Sequence, residues 1–258
     1  MSAAGNSHFD VGRVVSRTFS VIGRNWLTFL LLSVLSVIPL QLWTYFFTQG
    51  AAAGGPAYML SPGFVLSAIG GWIVTIVLGF VLQAALTYGT IMDLNGQRAS
   101  LGEALGVGLR AFLPILAIGV LYTFGVMVGF LLLIVPGLML FAAWAVVVPV
   151  RIAENAGIVQ SFSRSGELTR GHRWAIFGMF IVFGVAVFIL DMVTRPVFGL
   201  AVTANTAAAA VPPLYLVLTG AVRVVTAAVS AAGTACIYYE LRTAKEGIGP
   251  QQLASVFE

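Results

Sequence analysis

Asp191 and Arg195 stand one helical turn apart in FILDMVTRPVFG, residues 188–199, inside a segment that otherwise avoids charge. A second deep base, Arg223, comes in the next apolar segment, and Gln41 lies just after Pro39 in the first. At 1.5 Å of rise per residue, Asp191 lies about 17 residues beyond Trp174 and Arg223 about 17 before Glu240, so both fall at a depth of roughly 25 Å. By the same count Gln41 falls at roughly 22 Å. Arg195 can snorkel to the outer headgroups or share the Asp191 carboxylate. Two readings are open: an ion-pair clamp between the two segments, or a polar site for a headgroup or ion. Under the clamp reading Arg223→Leu alone destabilises by stranding the aspartate, and adding Asp191→Leu makes the damage milder.

Bond-making chemistry has little to stand on. His8 sits in a polar N-terminal stretch and His172 at a helix junction, and there is no HExxH, GxSxG or P-loop. Cys236 is the single cysteine, so no internal disulfide and no cysteine-based metal framework can form. No catalytic residue, cofactor or metal site is expected.

The elements that must carry these residues are set by composition. Of 258 residues 59% are hydrophobic and 9% charged, and the mean hydropathy is +1.00. A soluble domain carries about 25% charged residues, so the chain reads as an all-α, polytopic membrane bundle. Apolar runs of spanning length cover about 26–47, 64–92, 112–134, 174–194 and 213–239, with a shorter one over 137–152 after the Pro136-Gly137 turn. Six crossings place Arg13, Arg17, Arg24, Arg98, Arg110, Arg151, Arg164, Arg170, Arg173, Arg242 and Lys245 toward one face, eleven of the 13 basic residues, and none in the opposite connections. The positive-inside tendency makes that face cytoplasmic, in an inner membrane, with both termini on it. The net charge of +4 is spread among loops, which argues against nucleic acid as a partner. Residues 1–258 read as one transmembrane domain.

Three amphipathic surface helices are expected on the cytoplasmic face. In 10–24, Val11, Val14, Val15, Thr18, Phe19 and Ile22 share one arc; 100–110 opens with Ser100 and Glu103 at capping-box spacing; 154–170 puts Ile158, Val159, Phe162 and Gly166 on one side, with Gly171 placed to stop it. Arg13, Arg17, Arg24, Arg164, Arg170 and Arg173 are then candidate contacts for lipid headgroups, anionic phospholipid among them. The junctions IGRNW (22–26) and RGHRW (170–174) resemble each other, which suggests three parallel units, each a surface helix and then two spans. Gly125 and Gly129 form a GxxxG, and Ala228 and Ala232 a second small-residue pair, serving intramolecular packing or assembly with other proteins. Pro39 and Pro114 are expected to kink their spans.

Three stretches together, FDVGRVVSRTFSVIGRNW, VPGLMLFAAWAVVVPVRIAENAGIVQSFSRSGELTRG and IYYELRTAKEG, resemble the bacterial six-span family that includes the membrane domain of some glycerophosphodiester phosphodiesterases and the YciC-like proteins. The resemblance implies fold and location. The phosphodiesterase chemistry of such proteins belongs to a separate soluble domain for which these 258 residues leave no room. The expected function is therefore a non-enzymatic inner-membrane protein of the lipid phase or envelope. A permease-like protein with its site at Asp191, Arg223 and Gln41 is the alternative, and an assembly module for membrane proteins a third.

Overall fold

The computed structural model describes residues 9–204 and 213–247, and the side chains within them except at 51, 52, 56, 57, 59 and 194–204. Among the described residues the chain is helical, with no strand: α1 Val11–Arg24, α2 Trp26–Met59, α3 Pro62–Leu94, α4 Leu101–Leu132, α5 Ile134–Ala143, α6 Val147–Glu154, α7 Ile158–Thr169, α8 Arg173–Ala204 and α9 Pro213–Glu246. Among the described residues six segments are long and apolar enough to cross a membrane: Trp26–Gly50, Pro62–Leu94, Leu101–Leu132, Ile134–Glu154, Arg173–Val193 and Pro213–Glu246. Their outer faces carry large apolar side chains left open, such as Leu131 and Val182, 84% and 72% exposed. A hydrocarbon surround makes such faces stable.

Local chemistry explains the helix starts. Asp10 caps α1 by accepting from the Gly12 and Arg13 amides. Ser61 caps α3 with Pro62 in its first turn. The expected capping box opens α4: the Ser100 amide donates to Glu103 Oε2 at 2.9 Å, and the Glu103 amide to Ser100 Oγ at 3.2 Å.

Beyond the capping box, α4 departs from the expected surface helix and separate span. No break separates a surface helix at 100–110 from the third span; α4 is one helix of 32 residues running through Pro114. At about 1.5 Å per residue it is roughly 48 Å long, more than a bilayer core needs. The parallel three-unit arrangement therefore lacks a separate surface helix in its second unit. Pro39 likewise sits within continuous α2, whose non-helical residue is Gly55, at φ 63°. The proline ring is tolerated in both places, and neither divides its helix.

The short fourth segment is interrupted. α5 and α6 are separated by a turn at Trp144–Val146, which frees the Ala143 carbonyl. Ser165 Oγ donates to it at 2.8 Å and Thr169 Oγ1 at 3.1 Å, both from α7. This is why α7 buries its Ser161, Ser165, Leu168 and Thr169 face and leaves Val159 78% exposed, whereas the apolar pattern alone favours Ile158, Val159, Phe162 and Gly166 as the packing side. The demand of a buried carbonyl for donors outweighs the hydrophobicity of one valine. Gly171, at φ 91°, ends the segment as expected.

The small-residue motifs are used inside the chain. A Cβ on Gly125 would come within 2.3 Å of the Trp144 ring, and one on Gly129 within 3.0 Å of Gly137 Cα. Trp144 also meets Phe162 edge-on at 4.9 Å. Ala228, Ala231, Ala232 and Ala235 are buried along α9. The core gathers Phe29, Leu32, Leu82, Leu86, Ala232, Cys236 and Leu241 with Val14 and Val21 of α1. It thus lies at the end of the bundle where α1 packs, and it thins toward the other end.

Candidate functional site

Where the core thins, α2, α3, α8 and α9 leave a cavity of about 650 Å³. Its lining joins Asp191 of α8 to Arg223 of α9, with Thr75 and Gln83 of α3, Ser36 of α2 and Ser230 of α9 among the polar groups. Val37, Leu40, Leu86, Val187 and Val222 make the rest of the wall chiefly apolar. A volume of this size falls within the roughly 300–1,000 Å³ typical of small-molecule sites.

The depth count places Asp191 and Arg223 at one level, and they do face one cavity. They do not clamp each other. Among the described residues no ion pair within 4.0 Å joins them, and Arg223 makes no hydrogen bond or ion pair to a described side chain or carbonyl. Arg223 is exposed into this space about ten residues, roughly 15 Å, from the Pro213 end of α9. Gln41 is not in the lining. Its Nε2 donates to the Leu216 carbonyl at 2.5 Å and to Thr219 Oγ1 at 3.1 Å, stitching α2 to α9 at the rim. The Arg195 side chain lies outside the described residues.

Along α9 the sequence carries a signal for the lining that single-residue inspection passes over. Tyr215, Thr219, Arg223, Thr226 and Ser230 succeed one another at steps of four, four, three and four along α9, and all line the cavity. Thr75, Gly79 and Gln83 repeat the step of four on α3. A polar stripe at helical period on an otherwise apolar span marks a face turned away from lipid.

The surface arginines have different fates. Arg13 Nε lies 3.0 Å from Glu240 Oε1 and Arg17 Nη1 2.6 Å from Glu240 Oε2, and that carboxylate is 2% exposed. Arg17 also lies over the Tyr239 ring, 5.2 Å from its centroid. Arg24 grips Asp93 through Nε at 3.4 Å and Nη2 at 2.5 Å, while Asn25 Nδ2 donates to the same carboxylate at 2.6 Å. The bond to Asp93 holds the Arg24 guanidinium above its ordinary pKa. Arg164 reaches Glu154 Oε2 at 3.1 Å and also binds Glu246; burial lowers its pKa, and the two carboxylates more than reverse this. These four tie α1 and α7 to the bundle. Val14, Thr18 and Val21 of α1 are buried against it, while Val11, Val15 and Phe19 form a separate exposed ridge. The single apolar arc expected over 10–24 is thus two seams. Arg170 and Arg173, at the α7–α8 junction, have no carboxylate partner among the described residues.

No cluster of three or more His, Cys, Asp or Glu side chains able to hold a metal occurs among the described residues. Compared with models of known families, with curated proteins and with solved structures, the chain gives no match.

Proposed function

We propose that this integral membrane protein is permease-like, binding a small anionic group in the cavity between α2, α3, α8 and α9 without covalent chemistry. One observation carries the reading: Arg223 presents its guanidinium to that cavity with no carboxylate on it. A charge inside a span that no carboxylate touches is costly, by up to about 2.5–3.5 kcal/mol on insertion scales, the value at the centre of a helix. Water in the cavity reduces that cost, and an anionic ligand reduces it further by supplying the counter-charge. The stripe from Tyr215 to Ser230 and Gln83 opposite provide hydrogen-bonding groups to orient it.

In this reading the membrane is a cytoplasmic one and both described ends of the chain face the cytoplasm. The positive-inside distribution supports the side, and the Arg13 and Arg17 bonds to Glu240 support a shared one for α1 and the end of α9. Headgroup capture by the surface helices has less support at Arg13, Arg17, Arg24 and Arg164, whose charges are met within the chain. Membership of the resembled six-span family belongs to the same proposal. Arg24, Ser165, Thr169 and Glu240, which fall in the resembling stretches, hold helices together and so speak to fold.

The test is ligand-dependent thermal stabilisation of the full-length protein in detergent, with inorganic phosphate, a phosphomonoester and a dicarboxylate as soluble anions and a lysophospholipid as the lipid arm. At a hundred times Kd a ligand adds about 2.7 kcal/mol to the folded state, a shift of roughly 5–10 °C. A soluble anion should stabilise the wild type and leave Arg223→Gln unmoved; a response to the lysophospholipid alone would make the anionic group a headgroup. No response from the wild type, or equal responses from the two proteins, overturns the proposal.

A further inference from the structure

A second, separate site emerges where α7 turns into α8. We infer that the basic corner formed by Arg170, Arg173 and Lys245 binds the phosphodiester headgroup of an anionic phospholipid at the membrane surface, with an acyl chain leaving along the α5–α8 cleft.

The corner is built by one carbonyl. Glu167 O accepts both the backbone amide of Arg170, at 3.3 Å, and the Lys245 ammonium, so the end of α9 is fastened to the end of α7. Gly171, in the left-handed region, then turns the chain so that Arg173 begins α8. The positive charges of Arg170, Arg173 and Arg164 and the negative one of Glu167 all act on Lys245. The nearby carboxylates are largely committed elsewhere: Glu154 to Arg164, and Glu246 to Arg164 and Arg242. Glu167 stands 4.0 Å from Arg164, with its side chain 62% exposed. Arg164, Arg170, Arg173, Arg242 and Lys245 thus face Glu154, Glu167 and Glu246, an excess of two positive charges.

The similar junction at the start of α2 makes an instructive contrast. There Arg24 and Asn25 close on Asp93. Here the structure supplies no such carboxylate among the described residues, and Arg173 Nε is buried with no hydrogen-bond partner. The first α8 bond to the preceding turn runs from the Ile176 amide to His172 O, so the amides of Arg173, Trp174 and Ala175 are first-turn donors of that helix.

Two features select a lipid over a free anion. Trp174 begins the Arg173–Val193 span and is 62% exposed, as an interfacial tryptophan is. Beside it a shallow apolar cleft of about 10 Å³, lined by Leu138, Met139, Ala142 and Phe177, adjoins Arg173, so an acyl chain lies against this surface and does not enter it. Basic head and apolar cleft together match an amphiphile.

The experiment is native mass spectrometry of the full-length protein in detergent, titrated separately with phosphatidylglycerol, phosphatidylcholine and inorganic phosphate. The wild type should retain phosphatidylglycerol in preference to phosphatidylcholine. Losing one surface cation costs about fivefold, so Arg170→Gln with Arg173→Gln should lose about thirtyfold in phosphatidylglycerol retention. Arg98→Gln, which removes an exposed charge from the α3–α4 connection, should not change it. Equal retention of the two lipids by the wild type overturns the proposal without recourse to any variant. So does an equal loss in Arg98→Gln, or phosphate that displaces phosphatidylglycerol at comparable concentration. If the paired variant fails to run as a single sharp peak in size exclusion, Lys245→Gln replaces it, with about a fivefold loss expected and an undiminished retention overturning the proposal.

Discussion

The contact between α1 and α9 invites a perturbation whose size is decided by which partner is exposed. Glu240 is 2% exposed and receives Arg13 and Arg17, whose side chains are 43% and 32% exposed. Replacing both arginines by glutamine strands a carboxylate that cannot reach water, which costs about 3–5 kcal/mol. Replacing Glu240 by glutamine removes one carboxylate from two guanidinium groups that can turn outward and hydrate, and Arg13 keeps Asp10 at 3.9 Å. That change costs about 1–2 kcal/mol, the worth of the lost charged hydrogen bonds with partial solvent compensation. The triple variant Arg13→Gln, Arg17→Gln, Glu240→Gln leaves no buried carboxylate stranded and should return to within about 2 kcal/mol of the wild type. Unfolding of the full-length protein by titration with a denaturing detergent, monitored by circular dichroism, gives the four free energies of the cycle. A cost for Glu240→Gln as large as that of the paired arginine change would refute this asymmetry, as would a triple variant showing the sum of the losses.

Three further perturbations test separate parts of the structure in the same assay. Gly125→Ala drives a methyl group to within 2.3 Å of the Trp144 ring and should destabilise by about 1–3 kcal/mol; a neutral result would show that the ring has room to move. Ser165→Ala with Thr169→Val leaves the Ala143 carbonyl without a donor from α7 and should cost about 1–3 kcal/mol, with neither single change costing as much as the pair. Arg223→Leu removes a cavity-facing charge that no described carboxylate meets, so it should leave stability unchanged or raise it while abolishing anion-dependent stabilisation. That outcome opposes the one a clamp to Asp191 requires, and a marked loss of stability rescued by Asp191→Leu would restore the clamp.

Hydrophobic run length was legible because a hydrocarbon layer imposes it on any spanning helix, whatever its neighbours. Ser100 and Glu103 were legible as a box because both bonds are made within one turn. The partners of Arg17 and Arg24 were not, since Glu240 and Asp93 lie 223 and 69 positions away and only packing brings them near. The turn at Trp144–Val146 was missed for a related reason. Its stability depends on hydroxyls from α7, 22 and 26 residues beyond Ala143, and nothing local to 137–152 announces them. At the site, rise per residue fixed the level shared by Asp191 and Arg223 but left the rotation of each helix undetermined. Rotation decided that they would line one cavity without touching. The polar period along α9, from Tyr215 to Ser230, held that information.

The proposed site requires water to reach the polar face of α9 from within the bundle. In a Cys236→Ser background, single cysteines are introduced at Ser230, which lines the cavity, and at Val225, which is 56% exposed but outside it. The full-length protein is reconstituted in lipid bilayers and treated with a water-soluble, membrane-impermeant thiol reagent that reacts with the thiolate. The Ser230→Cys variant should be modified while the Val225→Cys variant, facing hydrocarbon, is spared. Protection of the Ser230→Cys variant to the same degree as the Val225→Cys variant would contradict the presence of water there.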